Sequence, residues 1–265
     1  MARALPLLSL AAGVLPEFSP EQTIAAAIDA GWPAAGIWYD PETWTTATTA
    51  EVRDRAADAG LAILDIEVIW LKPGADDPAH FAAIDAGAAI GARNVLIVSS
   101  DDDPASAAAK LNRIGNHAAA AGLRACLEFA AFTTVGSIES AIALIDAADC
   151  ANLGLLIDPL HLARTGGSPA DIGSVDPKRF PYAQFCDAPA LGPPPSDVPE
   201  IIREALDLRL MPGDGGLPLD NLIAALPPTT SLSIELRSAK LREKHPDPAG
   251  RARVLLAATQ RWFAA

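Results

Sequence analysis

Positive charge is in short supply. Lys and Arg number 20 against 33 Asp and Glu, a formal charge of −13. A face that binds phosphate backbones needs the opposite balance, so a nucleic-acid partner is not expected. Cysteine is scarce too. Cys126, Cys150 and Cys186 are an odd number without the pair spacing of a zinc site, which points to reduced core thiols and a cytoplasmic location. The only histidines are His80, His117, His161 and His245, too few for a multi-zinc centre rich in imidazole. No apolar run approaches the roughly 18 residues of a membrane span, so a membrane partner is not expected either. The opening stretch, MARALPLLSLAAGVLPEF, imitates a secretion signal, but Pro6 and Pro16 interrupt it and Pro20 to Thr23 opens a helix. A first strand is the expectation there.

Hydrophobic residues, by contrast, make up 50% of the 265. That suits one large core of the size of a single αβ barrel, about 250 residues. Strand-like and helix-like stretches alternate along the whole chain. Strands are expected at 5–11, 34–39, 61–70, 94–100, 123–129, 153–158, 180–186 and 231–237. Between them helices are expected at 20–30, 49–59, 80–90, 104–121, 138–148, 169–172, 200–206 and 219–226, with a last one at 248–263. Gly31, Gly60 and Gly91 close three of these, and Asp103 with Pro104 opens another. Eight strands alternating with helices and no long linker predict an α/β fold, a (β/α)8 TIM barrel, as a single domain over residues 1–265.

The stretch LGLLIDPLHLARTGG (153–167) carries an apolar run that ends in Asp158, Pro159 and His161, as a core strand delivering polar groups to its C-terminal mouth should. Three other runs share this grammar. LRACLEF (123–129) carries Glu128, FPYAQFCD (180–187) carries Gln184 and Asp187, and SLSIELR (231–237) carries Glu235. Alternation sets Arg124, Cys126 and Glu128 on one face of the fifth strand, and Leu123, Ala125, Leu127 and Phe129 on the other. The outer face of a barrel is covered by helices and must be apolar, so Glu128 points inward. The same count turns Asp158, Gln184 and Glu235 inward. Burying a carboxylate without a partner is costly, so these aligned groups imply a shared partner, and a divalent cation is the candidate. Carboxylates with an amide oxygen suit Mg2+ or Mn2+ better than zinc. A cation that binds a hydroxyl and a carbonyl of a small substrate acidifies the carbon between them and stabilises the enolate that proton loss leaves. Reprotonation at another atom is isomerisation, on the opposite face epimerisation; loss of a β-hydroxyl is dehydration.

In CLEFA, LLIDPLHLARTG, YAQFCDAP, RLMPGDGGLPL and SIELRS the chain resembles the xylose isomerase-like TIM-barrel family, the sugar phosphate isomerases and epimerases. Relatives in that family include ketose 3-epimerases, hydroxypyruvate isomerases, inosose dehydratases and 3-dehydroshikimate dehydratases. The resemblance implies Glu128, Asp158, Gln184 and Glu235 as ligands of one divalent ion, Mn2+ or Mg2+ with Co2+ as a further candidate. It also implies His161 as the second polar group at the mouth of the sixth strand. The family's usual third ligand is histidine. Gln184 departs from it in the manner of the dehydroshikimate dehydratases, and Ala190 stands where the epimerases carry an arginine.

The expected activity is isomerisation or epimerisation of a sugar-like hydroxy-carbonyl compound, with Glu128, Glu235 and His161 as catalytic groups and metal-dependent dehydration as the alternative. An endonuclease IV-like phosphodiesterase is disfavoured by acidity and few histidines; a non-catalytic barrel subunit is the remaining alternative. Each residue also has a plainer reading. Glu128 and Glu235 could be ion-pair partners of Arg124 and Arg237. His161 either shuttles a proton, titrating near the ordinary imidazole value of about 6.5 with a shift of unfixed direction, or caps a loop. Asp187 either orients a ligand or binds the ion. Arg209 either clamps substrate or pairs with a surface acid, and PGDGG lacks the lysine and preceding strand of a phosphate loop. Trp38, Tyr39, Trp70 and Phe132 fall at strand ends, where rings wall a pocket or simply pack. Arg209, Arg237, Trp38 and Trp70 are the expected substrate contacts, and a homodimer is the expected assembly.

Overall fold

The computed structural model describes residues 6–265, and within them a ring of eight parallel strands is wrapped by helices. The strands are β1 (Leu8–Leu10), β2 (Ala34–Trp38), β3 (Ala62–Leu71), β4 (Asn94–Ser99), β5 (Arg124–Glu128), β6 (Leu153–Leu156), β7 (Tyr182–Phe185) and β8 (Ser231–Ile234). Strands β1 to β6 pair in chain order, β7 pairs with β8, and β1 closes on β8. The remaining seam, β6 to β7, carries no paired register but is bridged by the Gln184 N–H donating to the Ile157 carbonyl at 2.9 Å. No described helix is long and apolar enough to cross a membrane.

The helices are α1 (Pro20–Ala30), α2 (Thr46–Ala59), α3 (Pro78–Ile90), α4 (Pro104–Ala121), α5 (Ile138–Ala148), α6 (Pro159–Arg164), α7 (Pro169–Ile172), α8 (Val198–Asp207), α9 (Leu219–Ala225), α10 (Ala239–Lys244) and α11 (Pro248–Ala264). Local chemistry sets their ends. Ser19 and Gln22 form a reciprocal capping box at α1, and Asp77, Asp103 and Asp247 cap helices that then begin with proline. The first four helices stop at Gly31, Gly60, Gly91 and Gly122, all left-handed, a backbone state that glycine enters without strain.

The sequence-based boundaries need correction at several points. The first strand, expected from Leu5, starts at Leu8, and Leu5 lies outside the described residues. Helix α2 begins at Thr46 because the Thr45 hydroxyl caps it, and α3 begins at Pro78 behind Asp77. The expected strand 153–158 ends at Leu156, and Asp158 instead caps α6, a helix absent from the sequence reading, as α10 was.

Two apolar layers result. Leu123, Ala125, Leu127 and Phe129 pack outward with the helices, while Leu64, Leu96, Val98, Cys126, Leu156 and Tyr182 fill the barrel. This is the alternation expected for β5, and it leaves the last inward position, Glu128, at the C-terminal mouth.

Candidate active site at the barrel mouth

Glu128, Asp158, Gln184 and Glu235 are all buried at the C-terminal ends of β5 to β8, and an open cavity of about 230 Å3 lies over them. Its wall includes Glu128, His161, Gln184, Arg209, Glu235 and Arg237, with Trp38, Trp70 and Phe132 among the rings. A second cavity, about 270 Å3, lies against Pro6, Leu226, Thr230, Leu232 and Phe263 and has no titratable side chain in its lining, so it offers no comparable chemistry.

Asp158 uses one oxygen to cap α6, accepting the Leu160 N–H at 2.6 Å and the His161 N–H at 3.4 Å. Its other oxygen accepts from Arg209, whose second terminal nitrogen lies 2.8 Å from Glu235. Arg209 therefore pairs with no surface acid. It is 2% exposed and bridges two carboxylates at the centre of the mouth. Arg124, four residues before Glu128, donates to the Leu153 carbonyl instead, so Glu128 has no ion-pair partner among the described residues. Arg237 lies 5.9 Å over the Trp38 ring, forms no ion pair among the described residues, and its Nε is sealed without a hydrogen-bond partner.

Two further polar atoms at the mouth are sealed and unpartnered: Glu128 Oε1 and Gln184 Oε1. Buried acceptors rarely go without a donor, and two at one mouth suit an electropositive guest. Atoms of Glu128, Asp158 and His161 that could ligate an ion lie within 4.8 Å of one another. The donor set thus fits a divalent cation, with the His161 ring close beside it.

The electrostatics are uneven. Burial, reinforced by Asp158 and Glu235, pushes the Glu128 carboxyl well above its usual value despite Arg209. Burial also raises Glu235, against the pull of Arg209. For Asp158 burial acts upward, but Arg209, His161 and the Leu160 amide outweigh it and hold the carboxyl below its ordinary value. His161 is pushed down to about 4 by burial, with Arg209 adding to the effect and Asp158 opposing it. Its imidazole is therefore neutral at pH 7 and able to take a proton rather than give one. The ring stands edge-on to Phe132, centroids 5.4 Å apart, and caps nothing. Helix α6, which carries it, is fastened to α8 by a buried pair, Arg164 to Glu204 at 2.6 Å.

Asp187 is taken up by the backbone of its own loop. Its carboxylate accepts backbone N–H groups from Ala188, Gly213, Gly215 and Leu217 at 2.8–3.1 Å. The PGDGG amides thus point at a side chain of the same chain, which accounts for the motif without a phosphate. A Cβ on Gly215 would stand 2.3 Å from Asp187, so only glycine allows this approach. Trp38 and Trp70 are partly exposed at the rim, Trp70 donating to Ser100 at 2.9 Å.

The sequence reading missed Asp65 and Glu67 on β3. Both are buried and share one face of the strand, and Glu67 lines the cavity. The signal was available: two acids two apart in LAILDIEVIWL repeat the pattern that exposed the other four strands.

The family description "xylose isomerase-like TIM barrel" matches residues 24–258. The chain belongs to this family. Within the family a 3-dehydroshikimate dehydratase of Pseudomonas aeruginosa (strain PAO1) is 31% identical over 237 residues, 84% of this chain and 36% of that protein. This chain thus spans about a third of the curated relative it matches. Among solved structures, a xylose isomerase-like TIM barrel/4-hydroxyphenylpyruvate dioxygenase fusion protein is 22% identical with a TM-score of 0.79, covering 96% of this chain and 42% of the other. The IolI protein, solved with a bound zinc atom, is 16% identical with a TM-score of 0.81, covering 97% and 98%. The two structures attest the fold.

Proposed function

We propose that the chain is a divalent-cation-dependent lyase that removes water from a cyclic hydroxy-carbonyl acid of the 3-dehydroshikimate type. This places the dehydratase reading ahead of the isomerase or epimerase expected from the sequence. The observation that carries it is Arg237, a cation on the cavity wall that forms no ion pair among the described residues. A carboxylate satisfies such a group, and a neutral ketose does not. The 31% identity to a 3-dehydroshikimate dehydratase supports the same choice.

Glu128, Asp158, Gln184 and Glu235 would hold the ion, with His161 beside them. Bound there, a divalent cation would polarise the substrate carbonyl and acidify the adjacent C–H bond. Arg237 anchors the carboxylate, and Trp38 and Trp70 border the ring. His161, neutral at pH 7, accepts the α-proton. The apolar inner layer beneath the mouth keeps bulk water from reaching the reacting atoms from below.

The test is a screen of metal-loaded protein over 3-dehydroshikimate, inososes and ketoses, following aromatic absorbance and exchange of the α-proton with solvent. Aromatic absorbance from 3-dehydroshikimate is the expected result. Epimerised ketose without any absorbance would overturn the reading and restore the epimerase.

A further inference from the structure

Loss of water needs two proton transfers, one from carbon and one to the departing oxygen, and the residues assigned so far supply only the first. On that reading Glu128, Asp158 and Glu235 would hold the cation, and His161 would take the α-proton. We propose that Glu67 is the general acid that protonates the departing hydroxyl, an assignment that rests on the dehydratase reading. Glu67 sits on β3, which contributes no holder of the ion and stands opposite β7, the strand of Gln184, around the ring. Its side chain lines the same cavity as Glu128, His161 and Arg237, so it faces a bound ring from the wall that carries no other catalytic group.

The contacts of the carboxyl fit that role. Oε1 accepts the Ala12 N–H at 3.3 Å. Arg237 is the nearby cation, yet it makes no ion pair with Glu67. Asp65 on the same strand and Glu235 from β8 are the acids that act on it. Burial, with Asp65 and Glu235 adding to it, pushes the carboxyl well above its usual value, and Arg237 and the Ala12 amide only partly offset this. In the step, the α-C–H proton passes to His161 and its electron pair becomes the new C=C bond. The β-C–O bond breaks with its pair on oxygen, and that oxygen takes the Glu67 proton and leaves as water. The proton on His161 returns to Glu67 through solvent, so the sum is substrate to unsaturated product plus water.

The test is Glu67→Gln in the full, metal-loaded chain, because glutamine keeps an acceptor for the Ala12 amide but has no acidic proton. Three rates are compared with the parent: α-proton exchange, water loss from the hydroxy acid, and fluoride loss from its β-fluoro analogue, which needs no proton on the leaving group. Water loss should fall roughly 10²- to 10⁴-fold, the usual worth of a positioned acid, while exchange and fluoride loss stay within a few fold. The infrared difference between parent and variant at pH 7 should contain one protonated-carboxyl band. Water loss at the parental rate, an equal fall in all three rates, or absence of the band overturns the assignment. A parent that turns over none of these acids overturns the dehydratase reading and the assignment with it; a dehydrating parent without the band overturns the assignment alone.

Discussion

The barrel mouth and the loop around Asp187 are both buried, polar and built from the ends of strands, yet they treat a carboxylate in opposite ways. Asp187 receives a backbone N–H on every side and has no capacity left. Glu128, two strands away around the ring, has a sealed oxygen with no donor and a carboxyl forced upward by burial and by its acidic neighbours. A saturated buried acid holds the chain in shape, and an unsaturated one costs stability that only a guest can return. The contrast separates structure from function more sharply than burial does, since Asp187 and Glu128 are almost equally hidden.

The largest expected effect comes from removing the unsaturated carboxyl. Glu128→Gln should lower turnover roughly 10³-fold or more and abolish the rise in melting temperature that Mn2+ gives the parent, while the metal-free variant melts no lower than the metal-free parent. A variant that keeps its activity would erase the distinction between the two regions. Arg209→Met comes next. It leaves Asp158 and Glu235 as buried unpaired charges and should cost about 3–5 kcal/mol in metal-free urea unfolding, a loss that added Mn2+ largely reverses. A loss unaffected by metal would place the ion elsewhere.

His161 gives a smaller, pH-dependent effect. Its folded value, about 4, lies below the unfolded value of about 6.5, so as pH falls below 6.5 the unfolded chain takes up a proton that the folded chain refuses. Metal-free stability should therefore decline between pH 6.5 and 4 by about 3 kcal/mol on this account, and His161→Asn should flatten that stretch of the stability curve. An unchanged slope would mean that the imidazole is solvated. The smallest effect belongs to the saturated region: Asp187→Asn should cost about 2 kcal/mol, with metal uptake unchanged, because an amide nitrogen would face backbone donors. Loss of metal from that variant would make Asp187 part of the ion site after all.

Most of the fold was readable because period-2 and period-3.6 patterns decide which face is apolar, and a barrel needs the same answer eight times. The inward turn of Glu128 and Gln184 followed from that alternation alone. Asp158 was placed at the mouth for the wrong local reason: it lies beyond β6, as the cap of a six-residue helix whose PLHLAR sequence is too short to show a period. Arg209 was expected as a substrate contact and does line the cavity, but its bridge between Asp158 and Glu235 was not legible, since LDLRLMP contains nothing that pairs it with acids so far away in the chain. Asp65 and Glu67 were legible and overlooked, because β3 is a ten-residue strand whose apolar content masks its inward acids.

Arg209 has one more consequence. Because its guanidinium already spans Asp158 and Glu235, the chain brings its own provisional counter-ion to the mouth. On the proposed reading, folding need not wait for a metal, and a shortage of metal would leave a folded, idle protein in place of an unfolded one. Loading would then be a late and reversible event, in which an arriving ion takes over a charge balance that the polypeptide had kept in trust.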